Sequence, residues 1–495
     1  MKNTLGLSKS HVQFHERGKS RDLLFLIISS FIFFLLRLPS LFEPHWYGDE
    51  GIYQVIGMAI NNGSLLYKDI WDNKPPFLYL LYALFDSDQF AVRVASLIFG
   101  LLSVIVFFFL TKKLFLTTSI FALLLALPIL EGNIANAENF IMLPVLAAAL
   151  LISNYKFQIT NFKLLLAGLL LGIAFLFKVV AIFDFLAFLS LFIIINLPHK
   201  LKPSLLKEKE YFLSIIQKLS TFVAGFLIPI LITVIYFWTQ GAFVDFIRAT
   251  FLSNISYVAW QNKLILPLGL LLLKITLLII SIVFIVRKRK DLGINTTFIL
   301  LWFVFSLFSA FLTQRPYTHY LITLLPSFTL MIGLIFWEKK HQKAIVLFFI
   351  LVFVLVLKNF NFYGKTIAYY QNFVSFLAGQ KTVSSYRAFF DKRTLTNYEV
   401  TTFIKSKIRG KDTIFIWGNN AQVYKMTGSI PVGKYVVAYH IIDSKDGLTN
   451  TKEAIERVKP RFIIIMPDQE PIPFKLIHYS RRIGINNAII YERFF

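Results

Sequence analysis

Long apolar runs separated by short basic blocks fill the chain as far as residue 358, and a mixed strand-like and helix-like pattern fills the rest. The first run spans Leu23–Phe42, and others lie near 90–110, 115–130, 139–153, 164–177, 179–197, 219–238, 264–286, 297–313, 320–337 and 343–358. Runs of roughly 18 to 25 apolar residues reach across a hydrocarbon core of about 30 Å as helices. The pattern therefore predicts about eleven crossings. Several runs, 164–177 above all, are short for this and need tilt or a locally thinned bilayer.

The basic blocks orient these crossings. Residues 1–21 carry Lys2, Lys9, Arg17, Lys19 and Arg21, a tail expected in the cytoplasm. Alternating from there puts Lys112/Lys113, Lys156/Lys163, His199–Lys209, Arg287–Lys290 and Lys339–Lys343 on the same side. Loops 43–89, 131–138, 239–263 and 314–319 then face outward. In the first of these, 51–60 and 75–85 read as helices lying along the interface. Beyond the membrane-spanning bundle of 22–358 comes a polar, aromatic connector, 359–396, to which no element is assigned. In 397–495, strands are expected at Thr413–Trp417, Tyr435–His440 and Arg461–Met466, with helices at Asn397–Lys407, Gln422–Met426 and Thr451–Lys459. The expected fold class is an α-helical polytopic membrane protein plus a small C-terminal extracytoplasmic α/β domain.

Composition narrows the class. Of 495 residues, 56% are hydrophobic and 17% aromatic, and a mean hydropathy of +0.65 lies far outside soluble domains. The formal charge of +24 sits in the short blocks between apolar runs, so it reports topology and not nucleic-acid binding. Without cysteine there is no disulfide, no thiolate zinc site and no cysteine nucleophile.

Against this background the stretch His45–Tyr79 is a polar interruption. It holds Asp49 and Glu50 side by side, then Asp69, Asp72 and Lys74, the lysine directly before Pro75 and Pro76. An external enzyme has no nucleotide-activated donor at hand, whereas a sugar on a polyprenyl phosphate arrives through the membrane with its leaving group already in place. Such chemistry needs a base for the acceptor, cations for the departing phosphate and a cavity that excludes water. Asp49 or Glu50 can be the base; Lys74, Arg93, Arg315 and His319 can meet the phosphate; Tyr53, Asp72 and Glu138 can contact acceptor or substrate. A single displacement inverts the anomeric centre.

Each residue also has a plainer reading. Asp49 can cap the helix that starts near Gly51. Lys74 can snorkel at a helix start, and Arg93, Arg315 and His319 can bind lipid headgroups. Glu131 and Glu138 can be solvated loop residues, while Lys178 interrupts an apolar stretch as a hairpin residue or a lipid-phosphate contact. No metal is required, although Asp49, Glu50 and Glu138 are compatible with a cation. A transporter or flippase, and an O-antigen ligase or polymerase, are the competing classes; no broken-helix repeat speaks for the former, and the early position of Asp49 speaks against the latter.

The stretch GDEGIY followed by KPPFLYLL resembles the first external loop of the GT-C membrane glycosyltransferases, in particular the protein O-mannosyltransferase and aminoarabinose transferase (ArnT-like, RgtA/B/C/D-like) families. The resemblance extends to LRLPS before the loop, to Arg93, to AENF at Ala137–Phe140 and to RPYTHYLITLLP at Arg315–Pro326, covering roughly 20–340, and the C-terminal domain is similar to the families' usual ending. It implies a GT-C-like fold with Asp49 as the catalytic carboxylate, Glu50 beside it and Lys74 on the lipid phosphate. The implied partners are a polyprenyl-phosphate sugar and a lipid, glycan or protein acceptor, with no cofactor. Several relatives read DE-x-R-Y where Ile52 stands here, although Tyr53 remains. That departure leaves the sugar open.

Overall fold

The computed structural model describes residues 6–153, 159–196, 205–467 and 469–494; Lys2, Lys156 and the 199–204 part of a basic block lie outside these. The chain is a polytopic helical protein with a small C-terminal α/β domain. Among the described residues, Lys19–Phe42, Gln89–Leu110, Val179–Asn196, Phe212–Thr239, Gly269–Ala310 and Gln342–Asn359 are long and apolar enough to cross a membrane. Phe115–Ala126, Ala137–Ser153, Asn161–Phe177 and Tyr320–Phe336 are shorter apolar helices beside them.

Two of these helices differ from the sequence expectation for clear reasons. The runs 264–286 and 297–313 join in one 42-residue element, Gly269–Ala310, that turns a corner at Gly293 (φ 71°, ψ 164°). Only a residue without Cβ takes that conformation cheaply, and it stands three positions after the Arg287–Lys290 block. The short helix Asn161–Phe177 is held by close backbone approach to the Leu205–Thr239 helix. A Cβ on Gly168 would meet Phe222 O at 2.2 Å, and one on Gly225 would meet Leu165 O at 2.2 Å. Small residues at a helix crossing do in lipid what a larger apolar face does in water.

The first loop forms two helices, Gly48–Asn61 and Pro76–Leu84. Gly48–Asn61 is enclosed on most faces, by Pro76–Leu84 and by Ala421–Thr427 of the C-terminal domain, so it is a packed floor and not a half-solvated surface helix. Connector 359–396 is also helical, at Thr366–Leu377 and Val383–Ala388. It straps the first loop: Tyr369 donates its hydroxyl to Glu43 Oε1 at 2.6 Å.

The C-terminal domain holds four strands, β1 (Ile414–Trp417), β2 (Phe462–Ile465), β3 (Tyr479–Ile485) and β4 (Ala488–Arg493), in the order β1-β2-β4-β3. β1 and β2 pair in parallel and read IFIW and FIII, the continuous apolar runs expected of strands covered on both faces. β3 and β4 form an antiparallel hairpin that the sequence reading missed. Its signal is Asn486-Asn487, both at positive φ as a two-residue hairpin turn requires. The strand expected at Tyr435–His440 is absent. Tyr435 instead makes one parallel bridge to Trp71 of the first loop, whose N–H bonds Lys434 O at 2.9 Å, and the chain then coils into the helix Ala438–Asp443. Pairing across the domain boundary has replaced pairing within the sheet.

Candidate active site

Asp49 opens the Gly48–Asn61 helix with its side chain 37% exposed. No side-chain capping bond accompanies that helix start, so the carboxylate is free for other partners. Its Oδ2 lies 3.6 Å from Lys74 Nζ and accepts the Tyr53 hydroxyl at 3.1 Å. Tyr53 stands one helical turn further on, where i and i+4 share a face. Burial opposes the Asp49 charge, yet Lys74, then His319 and the Tyr53 hydroxyl, outweigh it and hold the carboxyl below its ordinary value. Asp49 is therefore ionised at neutral pH.

Lys74 is the cation of this rim, 20% exposed, with its ammonium 4.8 Å over the Tyr53 ring. On its other side Asp72 Oδ2 lies 3.8 Å away. Burial works against the ammonium, but Asp72 and then Asp49 more than compensate and raise its pKa. The backbone is fixed as well: Lys74 O accepts the Tyr67 hydroxyl at 2.7 Å, and Asn73 O accepts Asn254 Nδ2 at 3.0 Å. Asp72 is buried; it accepts the Tyr79 hydroxyl at 2.7 Å and faces His440 Nε2 at 3.4 Å. It positions Lys74 and is itself sealed from solvent.

Glu50, next to Asp49, points the opposite way. Arg93 donates Nε to Glu50 Oε1 at 3.0 Å and Nη2 to Oε2 at 2.5 Å, while Ala135 N adds a bond at 2.9 Å. Arg93 Nη1 also sits 3.1 Å from Glu43 Oε2, and its side chain is 0% exposed. Thus the structure brings Asp49, Tyr53, Lys74 and Asp72 together and places Glu50 and Arg93 behind them in a sealed network. A buried bidentate arginine is already occupied.

The remaining expected residues form a second arc. Lys178 pairs with Glu138, which also faces His319 Nε2 at 3.8 Å. His319 Nδ1 lies 3.0 Å from Glu131 Oε2, and that carboxylate accepts the Thr318 hydroxyl at 2.8 Å and the Tyr47 hydroxyl at 2.5 Å. Burial disfavours the imidazolium, but Glu138 and Glu131 reverse this and raise the His319 pKa. Arg315 lies over the rings of Tyr257 and Trp260, 4.2 and 4.8 Å from their centroids, and both Arg315 and Lys74 act on the Tyr257 hydroxyl. That hydroxyl bonds the Tyr320 hydroxyl, and Lys178 sits 4.8 Å over the Tyr320 ring. Two tyrosines thus tie the arcs together. Sequence reasoning missed Tyr257, Tyr320 and His440: Tyr257 lies in an expected external loop, whereas Tyr320 opens an expected span and His440 ends an expected strand. Among the described residues, no group of three or more His, Cys, Asp and Glu side chains is spaced to hold a metal.

The arrangement offers a part-exposed, ionised carboxylate beside a part-exposed ammonium. Comparison with known proteins agrees in kind. Residues 74–224 match the family model of dolichyl-phosphate-mannose-protein mannosyltransferase, a segment that begins at Lys74 and includes Arg93, Glu131, Glu138 and Lys178. No curated protein matches the sequence. Among solved structures, ArnT from Cupriavidus metallidurans, bound to undecaprenyl phosphate, shares the fold with a TM-score of 0.53 at 12% identity, over 95% of this chain and 97% of that one. The Archaeoglobus fulgidus oligosaccharyltransferase, in complex with Zn and sulfate, aligns with a TM-score of 0.42 at 12% identity, over 89% and 67%. In fold and in the matched segment, the chain resembles the GT-C membrane glycosyltransferases of the protein O-mannosyltransferase and ArnT type.

Proposed function

We propose that this multi-pass membrane protein is a glycosyltransferase that moves a monosaccharide from a polyprenyl-phosphate donor to a hydroxyl of a lipid, glycan or protein on the external face of the cell membrane, with the N-terminus in the cytoplasm. The observation that carries this reading is the half-open Asp49–Lys74 pair, an acid and a cation 3.6 Å apart. The ArnT structure's undecaprenyl phosphate supports the donor class.

In the proposed step the acceptor oxygen attacks the anomeric carbon as the bond from that carbon to the phosphate oxygen breaks. The acceptor proton passes to Asp49, and the phosphate leaves with the bonding pair toward Lys74 and Arg315. One displacement inverts the configuration. A carboxylate with a lowered pKa is a weak base on its own. The donor phosphate would draw the Lys74 charge away from Asp49, raising its basicity at the moment a proton must be taken. Glu50 and Arg93 position the Gly48–Asn61 helix; Glu138, with Lys178 and His319, shapes the opposite wall and meets the acceptor. No metal is needed on this route.

The test is to incubate membranes with a panel of labelled polyprenyl-phosphate sugars. Label is expected to leave the lipid fraction with the native protein and to remain there with Asp49→Asn. Undiminished release by Asp49→Asn would remove the carboxylate from the mechanism, and no release from any sugar with the native protein would overturn the donor.

A further inference from the structure

Loop 131–138 grips the first turn of the Gly48–Asn61 helix at two points. Glu131 Oε2 accepts the hydroxyl of Tyr47, the residue immediately before the helix, at 2.5 Å, and Asn136 Nδ2 donates to the same hydroxyl at 3.3 Å. Ala135 N donates to Glu50 Oε1 at 2.9 Å, on a carboxylate that Arg93 also holds. Between the two gripped residues stand only Gly48 and Asp49. The first backbone bond of the helix, from Gly51 N to Tyr47 O at 3.2 Å, closes over the same stretch. Tyr47 and Glu50 are thus fixed from outside the helix, and the position of Asp49 follows from theirs.

Glu131 is the centre of this grip. Its backbone is left-handed (φ 58°, ψ 26°), a conformation that a residue bearing a Cβ adopts at a cost and that glycine adopts freely. Its carboxylate gathers partners from two other loops: the Tyr47 hydroxyl, the Thr318 hydroxyl at 2.8 Å and His319 Nδ1 at 3.0 Å. Among the described residues Glu131 bonds neither Asp49 nor Lys74, so its hold on the catalytic turn runs through Tyr47. The donor side is anchored separately. Lys74 N donates to the Tyr79 hydroxyl at 3.2 Å and Lys74 O accepts the Tyr67 hydroxyl at 2.7 Å, both within the first loop.

We propose that Glu131 is a positioning residue that aims Asp49 by holding Tyr47 against the 314–319 loop, an inference that rests on Asp49 being the base of the transfer proposed above. A base must come within hydrogen-bond reach of the acceptor hydroxyl, and a misplacement of about 1 Å costs on the order of 100-fold in rate. Releasing Tyr47 frees one end of the turn that carries Asp49 and leaves the anchors of Lys74 untouched. The chemical step therefore slows while the donor binds as before.

Turnover of the labelled polyprenyl-phosphate sugar that the native protein uses best is measured against donor concentration in membranes carrying equal amounts of each full-length variant, and thermal melts are read on the purified proteins. Tyr47→Phe and Glu131→Ala are expected to lower kcat about 10- to 100-fold with the donor KM unchanged, and Tyr47→Phe to melt with the native protein. Glu131→Gln, whose amide oxygen still accepts the Tyr47 hydroxyl, should recover most of that turnover. Native turnover in Tyr47→Phe overturns the inference. So does a loss in Glu131→Gln as large as in Glu131→Ala, which assigns the effect to the charge beside His319. A donor KM that rises as far as kcat falls, or a Tyr47→Phe melt that drops with turnover, marks a loosened loop and overturns it too. Asp49→Asn separates the two readings: if it turns over normally the proposed base fails, whereas an inactive Asp49→Asn beside a fully active Tyr47→Phe fails the positioning role alone.

Discussion

Two carboxylate–cation–carboxylate triads anchor the first loop, one within it and one through Arg93 of the Gln89–Leu110 helix, and they do opposite things. Asp49–Lys74–Asp72 has long contacts of 3.6 and 3.8 Å, a lysine and one half-exposed acid. Glu43–Arg93–Glu50 has contacts of 3.1 and 2.5 Å, an arginine, and side chains that are sealed from solvent. Arginine's planar fork saturates two carboxylates at once, whereas a lysine ammonium is a point charge that can change partners. The first triad can exchange a carboxylate for a phosphate; the second can only break. A count of charges in the loop does not distinguish them.

The sharpest way to separate the triads is to remove one member from each. Asp49→Asn should cut sugar transfer by about 100- to 10,000-fold, the share of a general base, while the thermal melt of the purified protein stays where it was. Arg93→Met should do the reverse in kind. It leaves Glu43 and Glu50 buried without a cation, at a cost of about 3–5 kcal/mol, and a melt as late as the native one would show that the sealed triad is not structural.

Lys74→Ala probes the open triad through its pH dependence. Asp49 has a depressed pKa, so its charge is present above the folded value and lost as pH falls through it. Taking away Lys74 leaves burial to dominate, which moves the acid limb of the pH–rate profile to higher pH. The donor KM should also rise about tenfold to a hundredfold. An acid limb that stays in place would separate Lys74 from Asp49. The smallest effect is expected of Glu131→Gln. His319 has a raised pKa, so its charge is present below the folded value and lost as pH rises through it. Losing Glu131 should shift the alkaline limb down by less than about one unit, and an upward shift would contradict the pairing.

Much of this was legible in the chain. Apolar run lengths gave the helices, because a bilayer core fixes how many residues a crossing takes. Asp49, Tyr53 and Lys74 were legible as candidates because they sit in a polar stretch that a membrane protein has no other reason to keep. The Ala438–Asp443 helix was not legible, since its alternating pattern fits a strand equally well. Only the presence of Trp71 at that edge selects between them. The β3–β4 hairpin was missed because β3 is mostly exposed and carries little hydrophobic signal; Asn486-Asn487 was the available clue.

Sequence alone determined the class of the molecule, the order of its loops and the set of charged groups they carry, for these follow from residue spacing and from the cost of a charge in hydrocarbon. It did not separate Asp49 from Glu50, which read alike as candidate bases just ahead of a helix expected near Gly51. Tertiary structure decided which of the two stays open to solvent. The Gln89–Leu110 helix presents Arg93 to Gly48–Asn61 and captures Glu50, while Lys74 pairs with Asp49. Arg93 lies 43 positions from Glu50 in the chain and Ala135, which bonds the same carboxylate, lies 85 away, so only packing brings these partners within reach.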